Sequence, residues 1–174
     1  MKVITQFYAT LYYDHEENQT IFWMIEGEQY KISYRTFSRL FGFDFRDTSK
    51  TNIHVEEQLS AEDIDFMYEN HGEVTYGSTK GMRPFYKCLN SLFCPTLNPK
   101  SGDASTVQGI SRNLLAMMSN EGDLFSVVDF LWEEIHITSY TPSKICAYTS
   151  YIMYIIVKVT KKTSSRKWSI SPIG

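Results

Sequence analysis

The 174-residue sequence predicts a mainly α fold, a single-domain helical bundle with one N-terminal β-hairpin. Two observations carry that expectation. Apolar residues recur at helical spacing in six stretches, whereas one stretch alone alternates with the period of two that a half-buried strand requires. The composition can fill such a core: 43% of the residues are hydrophobic and 21% charged, unlike a chain too polar to collapse. Aromatic residues reach 15%, which suits either a core with hydroxyl groups at its rim or an adhesive binding face.

Val3, Ile4, Phe7, Tyr8, Leu11 and Tyr12 fall on one helical stripe and predict a helix over residues 3–12. TIFWMI and QYKISY then flank Glu26-Gly27. Tyr30, Ile32 and Tyr34 alternate with Lys31, Ser33 and Arg35, so a β-hairpin over about 19–35 is expected. A short helix follows over 34–41, ended by Gly42.

Residues 44–59 are polar and irregular. Ser60 with Asp63 forms a weakened capping box that predicts a helix through Glu69, closed by Gly72. After a loop over 73–81, Pro84 sits in the first turn of a helix, where its missing N–H costs nothing. Its expected buried stripe is Phe85, Cys88, Leu89, Leu92 and Phe93, with Pro95 as the stop. A loop over 98–103 leads to a helix from Ser105 or Thr106 that turns Val107, Ile110, Leu114, Met117 and Met118 inward. Another is expected over 124–137, burying Leu124, Val128, Leu131, Trp132 and Ile135. Thr141-Pro142 is a cap followed by a first-turn proline, and predicts the longest helix, to Val159. The loop between these last two is short, so they are expected to lie antiparallel, with Trp132 near Ile145, Ile152, Ile155 and Ile156. The helical domain thus occupies 1–162, and 163–174 reads as a flexible basic tail.

The net charge of −3 is unevenly spread. Six of the 17 basic residues and none of the 20 acidic ones follow Glu134, so residues 1–134 carry a formal −9 and the remainder +6. Three cysteines, Cys88, Cys94 and Cys146, make no even disulfide framework, and a chain of this length needs none. The first fifteen residues lack the apolar run of a secretory signal. An intracellular protein of the cytoplasm or nucleus is expected, with mitochondrial import left open. The longest apolar run, Tyr151–Val159, is too short to span a bilayer.

No motif carries catalysis. His15, His54, His71 and His136 share no metal-ligand spacing, and the cysteines form no CxxC. Asp129 and Glu133 stand four apart beside Glu134, an arrangement that can hold a metal but more often marks the solvated face of a helix. Neither a Gly-x-Ser-x-Gly elbow nor a P-loop is present. Lys80, Arg83 and Lys87 near a helix N-terminus suit an anion or serve solubility. No cofactor or metal site is expected.

Several blocks in fixed order carry a resemblance: FYATLYYD, WMIEGEQYKISY, FSRLFGF, IDFMYE, KGMRPFYKCLNSLF, TLNPKSGDAS, ISRNLLAMM, VVDFLWEEI and YIMYIIVKVT. They resemble a plant-specific, mostly grass-restricted family found in the non-enzymatic reading frames of long-terminal-repeat retrotransposons of the Gypsy/Athila kind, and in genes derived from them. The hairpin followed by a helix ending in Leu-Phe-Gly is more faintly similar to the plant mobile domain. The resemblance implies a non-enzymatic, transposon-derived protein and supplies no catalytic residues.

Two functions follow. The first is protein–protein interaction with a host or sibling protein, in its sharper form as a selfish or hybrid-incompatibility factor of the toxin or antidote type. Ile21, Phe22, Trp23, Met24, Tyr30 and Tyr34 of the hairpin are its candidate contacts. The second is a gag-like, nucleic-acid-associated remnant, bound through Lys161, Lys162, Arg166, Lys167 and Trp168, where cations meet phosphates and an indole stacks on a base. The opposite charges of body and tail also allow self-association.

Overall fold

The computed structural model describes residues 2–14, 19–43, 59–60, 62–69, 74–99, 105–107, 109–118, 125–141 and 148–160. Over these the chain is mainly α, with six helices and a three-stranded antiparallel sheet.

Helix α1 spans Lys2–Thr10 and ends two residues before the helix expected from the apolar stripe. Tyr12 instead opens a strand, β1 (Tyr12–Asp14), which pairs with β2 (Thr20–Ile25). Strand β2 in turn pairs with β3 (Glu28–Ser33), so the expected hairpin is the second half of a meander in the order β1-β2-β3. Tyr12 out and Tyr13 in alternate as a strand requires, although Tyr12 also continues the helical stripe of residues 3–12. The turn between β2 and β3 has positive φ at Glu26 (54°) and Gly27 (82°), the handedness a two-residue hairpin loop needs to match the strand twist.

The edge of β2 beyond β1 is closed by a side chain. The Thr10 hydroxyl accepts the Met24 N–H at 2.8 Å and lies 2.7 Å from the Gln6 carbonyl and 3.1 Å from that of Met24. At the other end of β3 the Ser33 hydroxyl accepts the Thr36 N–H and caps α2 (Tyr34–Leu40). Gly42, at φ 79°, ends that helix as expected.

The inner face of the sheet (Tyr13, Ile21, Trp23, Ile25, Ile32) forms the first core with Val3, Ile4 and Phe7 of α1 and Phe37 of α2. Helices α5 (Val127–Tyr140) and α6 (Thr149–Thr160) complete it. The predicted stripe Val128, Leu131, Trp132 and Ile135 is buried, as are Ile152, Ile155 and Ile156; Leu124 and Ile145 lie outside the described residues. Helix α6 packs on β3 and α1, and α5 on α2, while the Tyr148 hydroxyl just before α6 reaches Glu134 of α5. One expectation needs correcting. Helix α6 begins at Thr149 and not at Thr141-Pro142, because Tyr148 has φ 60° and a left-handed residue cannot continue an α-helix; residues 142–147 lie outside the described residues. Among the described residues α6 covers 12 and α5 covers 14.

A second core holds Ile64, Met67, Tyr68, Met82, Tyr86, Val107 and Leu115. The Ser60/Asp63 box forms, with the Ser60 N–H donating to Asp63 at 2.8 Å and the Asp63 N–H to the Ser60 hydroxyl at 3.2 Å. The expected helix does not: a 3₁₀ turn over Asp65–Met67 gives way to extended Tyr68, which bridges to Met82. Burying Tyr68 outweighs the local cap, since its hydroxyl must reach the Ser78 carbonyl at 2.9 Å. Thr106 likewise forms an isolated bridge, to Ser78, so α4 begins at Ile110 and not at Ser105 or Thr106.

Helix α3 (Pro84–Thr96) starts at its proline but is rotated from the expected phase. Tyr86 and Asn90 are buried and Leu89 and Phe93 half-buried, while Phe85, Cys88 and Leu92 face solvent. Pro95 lies inside the last turn and does not stop the helix. Helix α4 (Ile110–Met117) joins the two cores, with Leu114 in the first and Leu115 in the second; Phe93 packs against both. No helix among the described residues is long and apolar enough to cross a membrane.

Candidate interaction surface

Strand alternation divides the six hairpin candidates. Ile21 and Trp23 point into the first core and are each 1% exposed, so they are corrected from contact residues to core residues. Tyr30 is half-buried, stacks on Trp23 at 6.1 Å and donates its hydroxyl to Glu28. Tyr34, also half-buried, donates its hydroxyl to Asp129 and meets Trp132 edge-on at 5.3 Å. Burial first, then the bond to Asp129, hold the Tyr34 phenol well above its ordinary value. Both tyrosines therefore seal the core rim. Met24 (44% exposed) and half-buried Phe22 are the candidates left on the outer face.

The sheet adds one residue to them that the sequence reading placed on a helix. Tyr12, 64% exposed, lies opposite Phe22 across the β1–β2 ladder, their rings 6.3 Å apart, and Lys31 stands opposite Phe22 on β3. The outer face is thus a row of Tyr12, Phe22 and Lys31 beside Met24. The alternation Tyr12 out, Tyr13 in was the available signal, and it emerges only once the pair is assigned to a strand.

The α5 carboxylates have structural duties. Glu134, expected on the surface, is buried; the Tyr148 hydroxyl can donate to it at 2.7 Å or to the Leu97 carbonyl at 2.9 Å. Burial and the Glu134 charge push the Tyr148 phenol up. Glu133 lies 3.7 Å from His136, whose ring also packs at a tilt against Tyr13, 4.1 Å between centroids, and shares a hydrogen bond with the Tyr140 hydroxyl at 3.1 Å. Tyr13 donates to the Trp132 carbonyl at 3.0 Å, and burial followed by the Glu133 charge raises its phenol. Asp129 and Glu133 are therefore turned to different tyrosine and histidine partners.

Of the basic trio at α3, Arg83 spends its Nε–H on the Tyr68 carbonyl at 2.8 Å and anchors the helix start to the second core. Cys88 is exposed, and the Cys94 thiol donates to the Asn90 side-chain oxygen Oδ1 at 3.5 Å. Among the described residues no three His, Cys, Asp or Glu side chains gather as a metal site. Lys161, Lys162, Arg166, Lys167 and Trp168 lie outside the described residues, as do His15, His54, His71 and Cys146. No protein-family model, curated protein or solved structure matches this chain.

Proposed function

We propose that this chain acts by binding another protein through the outer face of its sheet, and not by catalysis. The observation that carries the reading is the row of Tyr12, Phe22 and Lys31 beside Met24 on a face whose reverse side is the core. Large amphipathic rings beside a flexible thioether and a cation are the side chains that protein interfaces favour. The engagement of Asp129 and Glu134 by tyrosine hydroxyls supports it from the other side, because two of the three acidic residues of α5 are bonded within the fold. A retroelement origin and a toxin or antidote setting rest on the sequence resemblance alone.

The test is affinity capture from plant tissue extract with the wild-type chain and with a Tyr12→Ser/Met24→Ser variant. Both substitutions lie on an exposed face, so thermal stability should stay within about 0.5 kcal/mol of wild type. Specific partners should be lost from the variant. Partners retained equally by both chains, or lost on Asp129→Asn in a still-folded protein, would refute the docking face.

A further inference from the structure

A second apolar surface lies on the other core. Phe85 (58% exposed) and Leu92 (56%) stand on the solvent side of α3 with exposed Cys88 between them, at spacings of three, four and seven residues that make one stripe along a helix. Phe66 (40% exposed), on the 3₁₀ turn, is joined to that stripe through Tyr86: the rings of Phe66 and Tyr86 are 5.8 Å apart and those of Phe85 and Tyr86 5.1 Å. Three large apolar side chains in one continuous strip are more than scattered surface residues.

The charges beside the strip are sorted by element. Over residues 62–69 every charged residue is acidic (Glu62, Asp63, Asp65, Glu69), and all four are exposed. Over 80–96 every charged residue is basic (Lys80, Arg83, Lys87), and all three are exposed. An apolar strip with an acidic element on one part and a basic element on the other is complementary to itself. A two-fold axis brings the acidic part of one copy to the basic part of its mate. A partner of one charge sign would meet repulsion on one of the two elements.

We propose that the strip of Phe66, Phe85, Cys88 and Leu92 is a homodimer interface, occupied by the same strip of a second copy in a closed two-fold arrangement. The stripe on α3 supplies the apolar centre, with the two α3 helices crossing beside Cys88. The surface is separate from the sheet face, so a dimer formed here leaves two copies of that face open.

Sedimentation of the full chain over a concentration series should show a species of twice the 20.2 kDa chain mass. Phe85→Lys/Leu92→Lys should raise the dimer Kd by roughly thirtyfold or more, with the far-ultraviolet circular dichroism unchanged because both side chains are solvent-facing. A second pair of variants asks who the partner is. Glu62→Lys/Glu69→Lys and Lys80→Glu/Lys87→Glu should each dimerise poorly alone, and an equimolar mixture of the two should recover the dimer. Tyr12→Ser/Met24→Ser should dimerise like wild type, which keeps this proposal distinguishable from the docking reading of the sheet. A chain that stays monomeric, a dimer indifferent to Phe85 and Leu92, or folded charge variants that fail to complement each other would each overturn it.

Discussion

The indole of Trp132 is met edge-on by the rings of Tyr13, Tyr34 and Phe37 at 5.5, 5.3 and 5.1 Å, and the residue is buried. Truncating it leaves all three rings facing a void, so Trp132→Ala should cost about 3–5 kcal/mol by denaturant unfolding; a loss under about 1 kcal/mol would place it at the surface. The buried stripe it belongs to was legible because four apolar residues recur at helical spacing. Glu134 in the same helix was not. A charge beside such a stripe reads as solvated, and its partner Tyr148 stands 14 residues further along the chain, where no local pattern points. Tyr13, Tyr34 and Tyr148 are all held above the ordinary phenol value of 10.0, with burial the largest cause. A raised value means that the folded chain favours the neutral phenol. The stability this contributes is complete below pH 10 and is lost as the pH rises beyond it, since the unfolded chain ionises first. In an alkaline titration, part of the tyrosinate absorbance should therefore appear together with the loss of near-ultraviolet circular dichroism, and not before it.

At the scale of elements, the places where local pattern and outcome part are those where burial competed with a local signal. The Ser60/Asp63 box closed as its spacing dictates, yet Tyr68 extended because its ring and hydroxyl had a site eight to ten residues away. The phase of helix α3 departs from its apolar stripe because hydropathy ranks Phe85 and Leu92 above Tyr86 and Asn90, whereas the core accepts the latter two. A polar residue inside and an apolar one outside are invisible to a hydrophobicity count. The β2–β3 turn was legible as a turn from Glu26-Gly27, but its handedness imposes a strain that can be relieved. Glu26 at φ 54° occupies a region costly for most side chains and tolerated by asparagine. Glu26→Asn should therefore stabilise the chain by up to about 1 kcal/mol, seen as a higher denaturant midpoint with an unchanged slope.

Over the whole molecule, the expected single bundle resolves into a sheet-centred core and a smaller second core held by loops, 3₁₀ turn and helix ends. Helical content was legible from periodicity, but the division was not, because it depends on long-range bridges such as Ser78 to Thr106. The two cores share α4 and Phe93, so they should melt together. Leu114→Ala and Leu115→Ala, adjacent in sequence and buried in different cores, should each cost about 2–5 kcal/mol and each shift one calorimetric transition. Two resolved transitions would show that the cores unfold separately. The Thr10 hydroxyl has a consequence for many chains at once. By occupying the Met24 N–H it denies a foreign strand the register it would need for cross-β growth on the centre of the sheet. Replacing it with the isosteric valine would barely alter the monomer's shape while opening a template for fibrils. The quantity this one oxygen governs is colloidal: how long a concentrated solution of correctly folded molecules remains clear.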